Sequence, residues 1–530
     1  MRIRQKLVIA GALVALPLAA GAFLRQPRQV QDGARLFAQV LQKIEDNAVD
    51  SLSRNTIYEK AARGLVKNLK DPYADIYSPE EYASFQRNTL RNNYGGLGMQ
   101  IEPQDDQTVV VRVFPNTPAE AGGVLPGDHI VSVDSVVVIG LKLNEVSDRL
   151  VGKPGTQVDV VFQRQGVSQP IKGRFTRAVI RVPAVPYAIL LDGGVGYIPL
   201  QSFNESASED VAKALIDLKG RGARSYVLDL RGNGGGSLDQ SLDIANLFLH
   251  AGQEIAAVRQ RGKEPDIFPA NRPTPLVDSM PVVVMVDGYT ASASEIVAGS
   301  LQDHDRALVV GTPSFGKGLV QTLFRLDGGW YIKLTTGKWY TPSGRSIQAE
   351  HDRLEDDRFV EYSKDSVPGD TTHKRPVFKS DGGRKILGGG GVTPDVVVPA
   401  DTATDKEREF LKALAPSSQI WRVTLYNYAL EMRSKLTRDF TVTPEMRNDF
   451  LERLVKAKVP VQKAQFDAVP DLVNRAIDQQ FSSLAFGDST AFRRSIRIDP
   501  QMRMALDLLH RGTTQRQLLA LAAAEGKKSQ

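Results

Sequence analysis

The sequence contains no cysteine, which excludes disulfide bonds, zinc sites built from thiolates and a cysteine nucleophile. Neither basic nor acidic residues are concentrated in any segment of the chain, and the net charge is only +6 over 530 residues. Nucleic-acid-binding proteins gather their basic residues in a patch or stripe, so we expect no nucleic-acid partner. Histidine is scarce as well, with six residues scattered along the chain.

Long apolar runs are almost absent, and the single one, LVIAGALVALPLAAGAFL, occupies residues 7–24. The basic residues Arg2, Arg4 and Lys6 precede it, and residues 20–22 form an A-x-A pattern. These features predict either a secretory signal that is removed or a retained anchor that would associate the protein with a membrane. In both cases we expect the rest of the chain to be exported.

Sequence patterns divide the chain beyond residues 1–24 into four regions. Helical periodicity predicts a helical segment at 32–88, alternating stretches and glycines predict a small β-rich domain at 89–176, and a polar helical pattern covers 401–530. In residues 177–400, buried-strand runs such as PVVVMVD alternate with helical runs, which predicts an α/β core with a mostly parallel sheet and flanking helices. The polar, glycine-rich residues 351–385 are interpreted as a surface insertion of that core. The expected fold class is a multidomain α+β protein with helical N- and C-terminal segments.

The segment GTPSFGKG at 311–318 contains most of a phosphate-binding loop, G-x-x-x-x-G-K-[ST], but Gly318 replaces the residue whose hydroxyl would hold magnesium. A phosphate loop also needs a helix directly after it. The following LVQTLFRLDGGWYIKLTT has the alternation and aromatic content of strands instead. The pattern disfavours a nucleotide site, so Lys317 is either an exposed surface lysine or a lysine with another task.

A second segment, PVVVMVDGYTASASEIVAGSLQD, runs from a buried strand through a turn of small residues into a helix. Ser292 and Ser294 lie where the helix would begin. A serine at this position is either an ordinary helix cap or an exposed nucleophile beside amides that can stabilise an oxyanion.

A nucleophilic serine needs a base, and no histidine is suitably placed in the sequence; His304 lies among charged residues. A lysine can act as the base when dry surroundings lower its pKa. Apolar neighbours of Lys317 that would supply such surroundings are Phe315, Leu319 and Val320.

A third segment, RSYVLDLRGNGGGSLDQ, is a buried strand that ends in glycines 232, 234, 235 and 236. Ligands of open α/β sheets lie beyond the carboxyl ends of the strands. The glycine-rich loop is therefore predicted to be either a phosphate cradle or a backbone oxyanion hole.

Five segments together resemble the carboxy-terminal processing (tail-specific) proteases, which are serine endopeptidases with a Ser-Lys dyad. The segments are DLRGNGGG, ASASEIVAGSLQD, GTPSFGKGLVQ, YTPSGRSIQ and GGGGVTPDVVV. The resemblance extends from about residue 33 to about residue 400. It implies that Ser292 is the nucleophile, that Lys317 is the general base, and that Gln321 orients or hydrogen-bonds the lysine. It also implies an oxyanion hole formed by the amide of Ala293 and the amide of one glycine in the 234–236 run, with Gly235 as the preferred member.

The sequence departs from the family pattern at one position of the serine string. Family members often read S-A-S-A-S-E, whereas Thr290 replaces the first serine here. The departure leaves Ser292 in place, but the alternative register with Ser294 as the nucleophile needs a test.

A fourth segment, YGGLGM at 94–99, resembles the carboxylate-binding loop of PDZ domains, and NTPAEAGGVLPGDHIVSVD resembles their helix-turn-strand signature. The glycines alone are equally typical of a tight turn between strands. The resemblance implies a PDZ domain at 89–176 that captures a free peptide C-terminus as an added strand. The implied peptide-binding residues are Gly95, Gly96, Leu97, Gly98 and Met99.

These resemblances imply an exported serine endopeptidase of the bacterial periplasm or the outer face of the inner membrane. Its partners would be protein or peptide substrates with accessible C-termini, and no metal or organic cofactor is implied. An activating adaptor cannot be identified from the residues. The alternative is a catalytically silent PDZ scaffold that binds C-terminal peptides, which the loss of Ser292 or Lys317 would have favoured; both are present. A nucleotide-dependent enzyme is the third alternative.

Overall fold

The computed structural model describes residues 28–86, 93–104, 106–164, 166–349, 351–353, 359–361, 375–400 and 403–526. Contacts divide the chain into two compact units, Met1–Ser78 with Leu323–Leu334 and Pro79–Thr322 with Thr335–Gln530. The predicted signal or anchor at 1–24 lies outside the described residues. Within the part of the chain that is described, no helix is long and apolar enough to cross a membrane.

The first unit is mainly helical, as its periodicity predicts. Its elements are α1 (Arg28–Asn47), α2 (Arg54–Lys67) and β1 (Asp75–Tyr77). Strand β1 pairs in antiparallel fashion with Tyr331–Lys333. A small core joins Val66 of α2 and Ile76 of β1 to Trp330.

The second unit begins with one helix and continues into the β-rich segment. Its first elements are α3 (Pro79–Phe85), β2 (Asn93–Gly96), β3 (Met99–Gln104), β4 (Gln107–Val113), α4 (Pro118–Ala121), β5 (His129–Val133), β6 (Val136–Val137), α5 (Leu143–Leu150), β7 (Gln157–Gln163), β8 (Ile171–Thr176) and β9 (Ala178–Arg181). The main sheet has the order β3-β4-β5-β7-β8 with antiparallel neighbours, so β3 lies at one edge. Strand β2 pairs with β9 outside this sheet. The segment has its own core, in which Val146 of α5 packs with Val110 and Phe162 of the sheet.

The central part of the second unit is built around a six-stranded sheet. The elements that follow β9 are β10 (Ile189–Leu191), β11 (Val195–Pro199), α6 (Ala207–Gly220), β12 (Ser225–Asp229), α7 (Leu238–Ala245), β13 (Glu254–Gln260), β14 (Asp266–Pro269), β15 (Val282–Val286), α8 (Ala293–Asp303), β16 (Leu308–Gly311), β17 (Leu319–Arg325), β18 (Tyr331–Tyr340), β19 (His351–Arg353), β20 (Phe359–Glu361), β21 (Val377–Lys379), β22 (Lys385–Leu387) and β23 (Val396–Val397). The end of β17 and the start of β18 fall within Leu323–Leu334 and so belong to the first unit. The order of the six-stranded sheet is β10-β11-β12-β15-β16-β23. Only β10 is antiparallel to its neighbour, which confirms the predicted mostly parallel sheet.

Both faces of this sheet are covered, which is why its strands are continuously apolar. Successive residues of β15 point to opposite faces, so Val284 packs with helices α6, α7 and α8, whereas Met285 packs on the other side. Strand β12 runs parallel beside β15, with Leu228 opposite Val284. Because parallel strands end at the same edge, the segments after Asp229 and Val286 meet there.

The C-terminal stretch consists of helices, as its pattern predicts. They are α9 (Asp405–Leu414), α10 (Ser418–Met432), α11 (Pro444–Lys456), α12 (Lys463–Asp467), α13 (Pro470–Phe486), α14 (Asp488–Ser495), α15 (Pro500–Arg511) and α16 (Gln515–Gly526). Helices α9 to α13 share an aromatic core that includes Trp421 and Phe450. Helices α15 and α16 instead place Met502 and Leu518 on the second face of the central sheet. This region therefore divides between two hydrophobic cores.

The C-terminal part of the predicted surface insertion, residues 375–385, contacts the rest of the second unit. Strands β21 and β22 form an antiparallel hairpin. Beside it, Arg384 pairs with Asp305, just after α8, and with Asp395, just before β23. Residues 375–385 thus pack on the unit although they fall in the predicted insertion, and residues 354–358 and 362–374 lie outside the described residues.

Candidate active site

Ser292 lies at a sharp strand-to-helix turn at the edge where β12 and β15 end. It is the residue before α8, with φ 56° and ψ −115°, and its side chain is partly exposed. A non-glycine residue in this conformation is strained, and such strain persists only where the surroundings impose it. The turn places Ser292 at the N-terminus of a helix, a position from which serine nucleophiles are presented.

Ser294 occupies a different environment, although it is only two residues away. Its side chain has 0% exposure, and its hydroxyl donates a hydrogen bond of 2.9 Å to the carbonyl of Asn233. A buried hydroxyl that is committed to a carbonyl cannot reach a substrate. This difference favours the register with Ser292 as the nucleophile.

Thr290, the departure from the family pattern, uses its hydroxyl within the turn. Its Oγ1 donates to the carbonyl of Leu230, and the backbone amide of Asp287 donates to the same oxygen, both at 2.9 Å. Its own carbonyl accepts from the amide of Phe315 at 2.9 Å. The first two bonds use the hydroxyl oxygen, which both serine and threonine provide.

Glu295 is a fully buried carboxylate that joins the serine turn to the lysine loop. Its Oε1 accepts from the Ser314 hydroxyl at 2.6 Å and from the Gly316 amide at 2.7 Å. Its Oε2 accepts from the Ser292 amide at 2.8 Å and from the Lys317 amide at 2.9 Å. Burial raises the pKa of Glu295 to about 7, although the four hydrogen bonds oppose that change.

These bonds bring the backbones of the predicted nucleophile and the predicted base together. The amide nitrogens of Ser292 and Lys317 bind the same oxygen at 2.8 and 2.9 Å, so they lie no further apart than the sum, about 5.7 Å. The two residues are 25 positions apart in the sequence. Glu295 is the last residue of the string that corresponds to S-A-S-A-S-E, which was the sequence signal for it.

The lysine loop is held by the other motifs of the family pattern. A Cβ at Gly316, whose φ is +87°, would lie 2.7 Å from the Cβ of Ala349 and 2.9 Å from the amide of Gly391. Trp339 donates its indole N–H to the Lys317 carbonyl at 3.0 Å. Strand β17 begins at Leu319, so the helix that a phosphate loop requires is absent from this described segment.

Gln321, the residue predicted to orient or hydrogen-bond Lys317, lies on β17. Its side-chain amide nitrogen, Nε2, is buried and has no hydrogen-bond partner among the described residues. A role for Gln321 in orienting Lys317 stays a prediction.

The glycine loop after β12 lies directly against the serine turn. A Cβ at Gly235, whose φ is +96°, would lie 2.9 Å from both the Ser292 Cβ and the Ala293 amide. The Gly235 amide, however, already donates to Asn233 Oδ1 at 2.9 Å. Within the described part of the chain, the amides of Ala293 and Gly234 have no acceptor and remain available to an oxyanion.

Asn233 joins this loop to the serine turn, and sequence reasoning did not single it out. Its carbonyl accepts from the Ala291 amide at 3.0 Å and from the Ser294 hydroxyl, and its side-chain amide donates to the Leu200 carbonyl at 2.7 Å. The residue has 0% exposure. Its position inside DLRGNGGG was the available signal.

His304, the histidine nearest to Ser292 in the sequence, does not lie where it could act as the base. His304 caps the other end of α8, and twelve residues of helix correspond to about 18 Å. Both of its ring nitrogens are engaged, with Asp381 and with the carbonyl of Glu254, at 2.7 Å each. In the described ranges, no group of three or more His, Asp or Glu residues is arranged to hold a metal ion.

The predicted peptide-binding residues lie at the edge of the β-rich sheet, but not all in one loop. Gly95 and Gly96 belong to strand β2, and a Cβ at Gly95 would lie 1.9 Å from the carbonyl of Gly152. Only Leu97 and Gly98 connect β2 to β3. Their amides have no acceptor among the described residues, as a carboxylate-binding turn requires.

The side chains of this segment are mostly buried in the domain itself. Leu97 is 2% and Met99 is 8% exposed, and both pack in the same core as Val146 and Leu150 of α5. A ligand could therefore touch them only through a small remaining surface. Strand β3, which begins at Met99, has an edge without a neighbouring strand in the described part of the chain.

Comparison with known proteins identifies the family of this chain. Residues 194–358 match peptidase family S41, and residues 109–164 match the PDZ domain. The carboxy-terminal-processing protease of Bartonella bacilliformis is 37% identical over 317 residues, which cover 59% of this chain and 72% of that protein. This chain belongs to the carboxy-terminal processing protease family. It is a serine-type peptidase with a PDZ domain.

Other family members show similar agreement. The carboxyl-terminal-processing protease of Synechocystis is 34% identical over 335 residues, covering 62% of this chain and 77% of that protein. The carboxy-terminal processing protease CtpA of Bacillus subtilis is 33% identical over 306 residues, covering 58% of this chain and 65% of that protein. This chain thus spans just under two thirds of the Bacillus member of the family.

Proposed function

We propose that this member of the family cleaves proteins selected through their C-terminal tails, with Ser292 as the nucleophile and Lys317 as the general base. The observation that carries the proposal is the shared contact of both backbone amides with one oxygen of Glu295. It fixes the serine turn and the lysine loop to each other, which is the positioning that a nucleophile and its base need.

The reaction is acyl transfer to serine. Ser292 Oγ attacks the scissile carbonyl carbon while neutral Lys317 accepts the hydroxyl proton, and the lysine then protonates the departing amine. Water releases the acyl group in a second step that uses the same lysine. The amides of Ala293 and of the glycine loop donate to the oxyanion, and the free amide of Gly234 is a candidate beside the predicted Gly235.

The PDZ domain supplies the selection of substrates. A peptide would add as a strand to the open edge of β3, and its carboxylate would accept from the free amides of Leu97 and Gly98. Gly98 within this turn has φ +81°, and a side chain there would collide with Thr117 at 2.3 Å, so the turn requires glycine at this position.

The proposal includes export to the bacterial periplasm or the outer face of the inner membrane. Its support is the N-terminal sequence, in which three basic residues precede the apolar run at 7–24. The N-terminal sequence of the protein isolated from an exported fraction distinguishes a removed signal from a retained anchor.

A pair of serine variants tests the catalytic assignment. Ser292→Ala should abolish cleavage of an unfolded protein, because loss of a nucleophile removes nearly all of a rate enhancement that can exceed ~10⁶-fold. Ser294→Ala is the matched control in the same turn, and we expect it to keep activity within about tenfold of the parent because it loses one neutral hydrogen bond. Active Ser292→Ala beside inactive Ser294→Ala would establish the other register. A parent protein that binds tails without cleaving any of them would identify the silent scaffold.

A pair of peptides tests tail selection. We expect a peptide with a free, apolar C-terminal residue to be cleaved at least about tenfold faster than its amidated form, since each charge-assisted hydrogen bond contributes about 1.5–3 kcal/mol. Amidation removes the charge and keeps every side chain, so the comparison isolates the carboxylate. Equal kcat/KM values for the two peptides would refute tail capture and leave the Ser-Lys assignment intact.

A further inference from the structure

The loop beside the serine turn starts at a residue that the C-terminal helices hold in place. Arg231 is the second residue after β12, and its guanidinium binds the adjacent Asp229 at 2.7 Å. The same guanidinium binds Asp499 at 2.8 Å and the Gln501 side-chain oxygen at 3.0 Å. Asp499 precedes helix α15 and Gln501 lies in its first turn. The side chains of Arg231 and Asp499 are each only 20% exposed, so water competes little for this ion pair.

A second contact from the C-terminal stretch reaches the same cluster. Phe492 of α14 stacks on Tyr197 of β11, with ring centroids 3.9 Å apart and planes inclined by 15°. The Tyr197 hydroxyl donates to Asp229 at 2.9 Å. Asp229 and Arg231 are therefore supported by residues 488–526 from two directions.

The cluster is linked to the serine turn through the loop that follows Arg231. The next amide, of Gly232, donates to both oxygens of Asp287 at 3.0 and 3.1 Å. One residue later, the Asn233 carbonyl accepts from the Ala291 amide and the Ser294 hydroxyl. A displacement of Arg231 would therefore also move Asn233, two residues later, whose carbonyl binds residues on either side of Ser292.

We propose that Asp499 is a positioning residue for catalysis: its pair with Arg231 fixes the loop 231–236 against the Ser292 turn. This inference rests on the proposed role of Ser292. The start of helix α15 then supports the catalytic site through Asp499, a role that the sequence did not assign to the helical tail. Without Asp499, one nitrogen of the Arg231 guanidinium keeps only the neutral Gln501, and the arginine gains freedom to move.

Asp499→Asn is the informative substitution, because Asp499 has two separate roles. Its Oδ1 accepts from the Met502 amide at 2.9 Å as the cap of α15, and its Oδ2 binds Arg231. Asparagine caps a helix as well as aspartate does, so the variant removes the charge and retains the cap. Asp507→Asn is the matched control, since Asp507 lies in the same helix and its ion pair with Arg511 is about half exposed.

The test measures kcat, KM and thermal unfolding for the full-length protein with an unstructured peptide substrate. We expect Asp499→Asn to lower kcat by about tenfold to a hundredfold with KM nearly unchanged, since loss of one oxyanion donor lowers kcat by roughly 10²–10³ and a displaced donor is lost only in part. Asp507→Asn should leave kcat unchanged. The rate at which a fluorophosphonate acylates Ser292 should fall in parallel with kcat, because that reaction uses the same loop.

A double variant separates positioning from general destabilisation. In the Arg231→Gln background, Asp499→Asn should cause no further loss of kcat, because the partner is already absent. Independent additive losses, or a folded Asp499→Asn protein with parental kcat, would overturn the proposal. If Asp499→Asn does not fold, Asp499→Ser replaces it, since serine also caps the helix but is too short to reach Arg231, and the same outcomes decide.

Ser292→Ala assayed in parallel keeps the two hypotheses apart. An active Ser292→Ala protein would refute the proposed nucleophile. A loss of activity in Ser292→Ala together with parental kcat in Asp499→Asn would refute only the positioning role.

Discussion

Replacing Glu295 with glutamine tests the physical basis of the link between the serine turn and the lysine loop. The carboxylate has 0% exposure, and each of its oxygens accepts two hydrogen bonds. Its pKa is raised from 4.5 to about 7 by burial, which disfavours the charged form more than the hydrogen bonds favour it. The protonated carboxyl group keeps a hydrogen-bond partner, because Glu295 can then donate to the Ser314 hydroxyl oxygen.

The sign of the pH effect follows from this raised pKa. Between pH 4.5 and about 7 the folded protein holds a proton on Glu295 that the unfolded chain has released, so the free energy of unfolding falls as pH rises. The stabilisation is fully present below pH 4.5 and is lost through pH 7. A change of about 2.5 pKa units corresponds to about 3 kcal/mol.

The comparison uses two proteins that both carry Ser292→Ala, which prevents self-cleavage and retains the Ser292 amide. Glutamine does not titrate, so the free energy of unfolding of the Glu295 protein minus that of Glu295→Gln should shrink by about 3 kcal/mol from pH 4.5 to pH 8. Urea unfolding at half-unit pH intervals measures it, and other titrating groups cancel in the difference. Glu209→Gln on the exposed face of α6 is the control and should show no step near pH 7.

The opposite sign would refute the reasoning. If the difference grows as pH rises, the four hydrogen bonds outweigh burial and the pKa of Glu295 lies below 4.5. A difference that is constant with pH would show that Glu295 has the same pKa in the folded and the unfolded protein, so that burial does not raise it.

Two further predictions concern the base and the loop. Lys317→Arg should be inactive in the peptide cleavage assay, because a guanidinium does not deprotonate at usable pH. Cleavage by the parent should increase with pH, because only neutral Lys317 accepts the serine proton, and this increase should persist in His304→Gln. An active Lys317→Arg enzyme, or an increase with pH that disappears in His304→Gln, would contradict the dyad. Gly235→Ala should lower kcat at least about a hundredfold and destabilise the fold by about 1–3 kcal/mol, because its φ is +96° and the new Cβ would lie 2.9 Å from the Ser292 Cβ. Gly234→Ala, where a Cβ meets nothing within 4 Å, is the control that should retain most activity and stability.

The sequence by itself determined the framework of the site. The apolar run at Val282–Val286, the small-residue turn and the helical run after it specify a strand, a turn and a helix, and the structure has them in that order. The alternation of apolar and polar residues after Gly318 specifies strand β17. Because a phosphate loop is followed by a helix, this strand distinguishes the lysine loop from a phosphate loop. Such features depend on side-chain periodicity and on hydrogen bonds between residues a few positions apart, which a sequence displays directly.

The sequence was less informative for residues that belong to a local element and also contact distant segments of the chain. Glu295 reads as a first-turn residue of α8, which it is, but its other donors come from 19 to 22 positions further along. Gly95 and Gly96 read as part of a loop, yet they pair with β9, more than 80 residues away in the chain. In each case the local pattern was compatible with several partners.

The tertiary structure alone decided which distant segments meet at the site. The Ser294 hydroxyl donates to the carbonyl of Asn233, 61 positions earlier, and Arg231 is held by Gln501, 270 positions later. These contacts exist because α8 and α15 cover opposite faces of one sheet whose parallel strands end at a common edge. The hydrophobic effect that assembles those layers is non-directional, so composition and periodicity indicate that a face is buried but leave its partner unspecified.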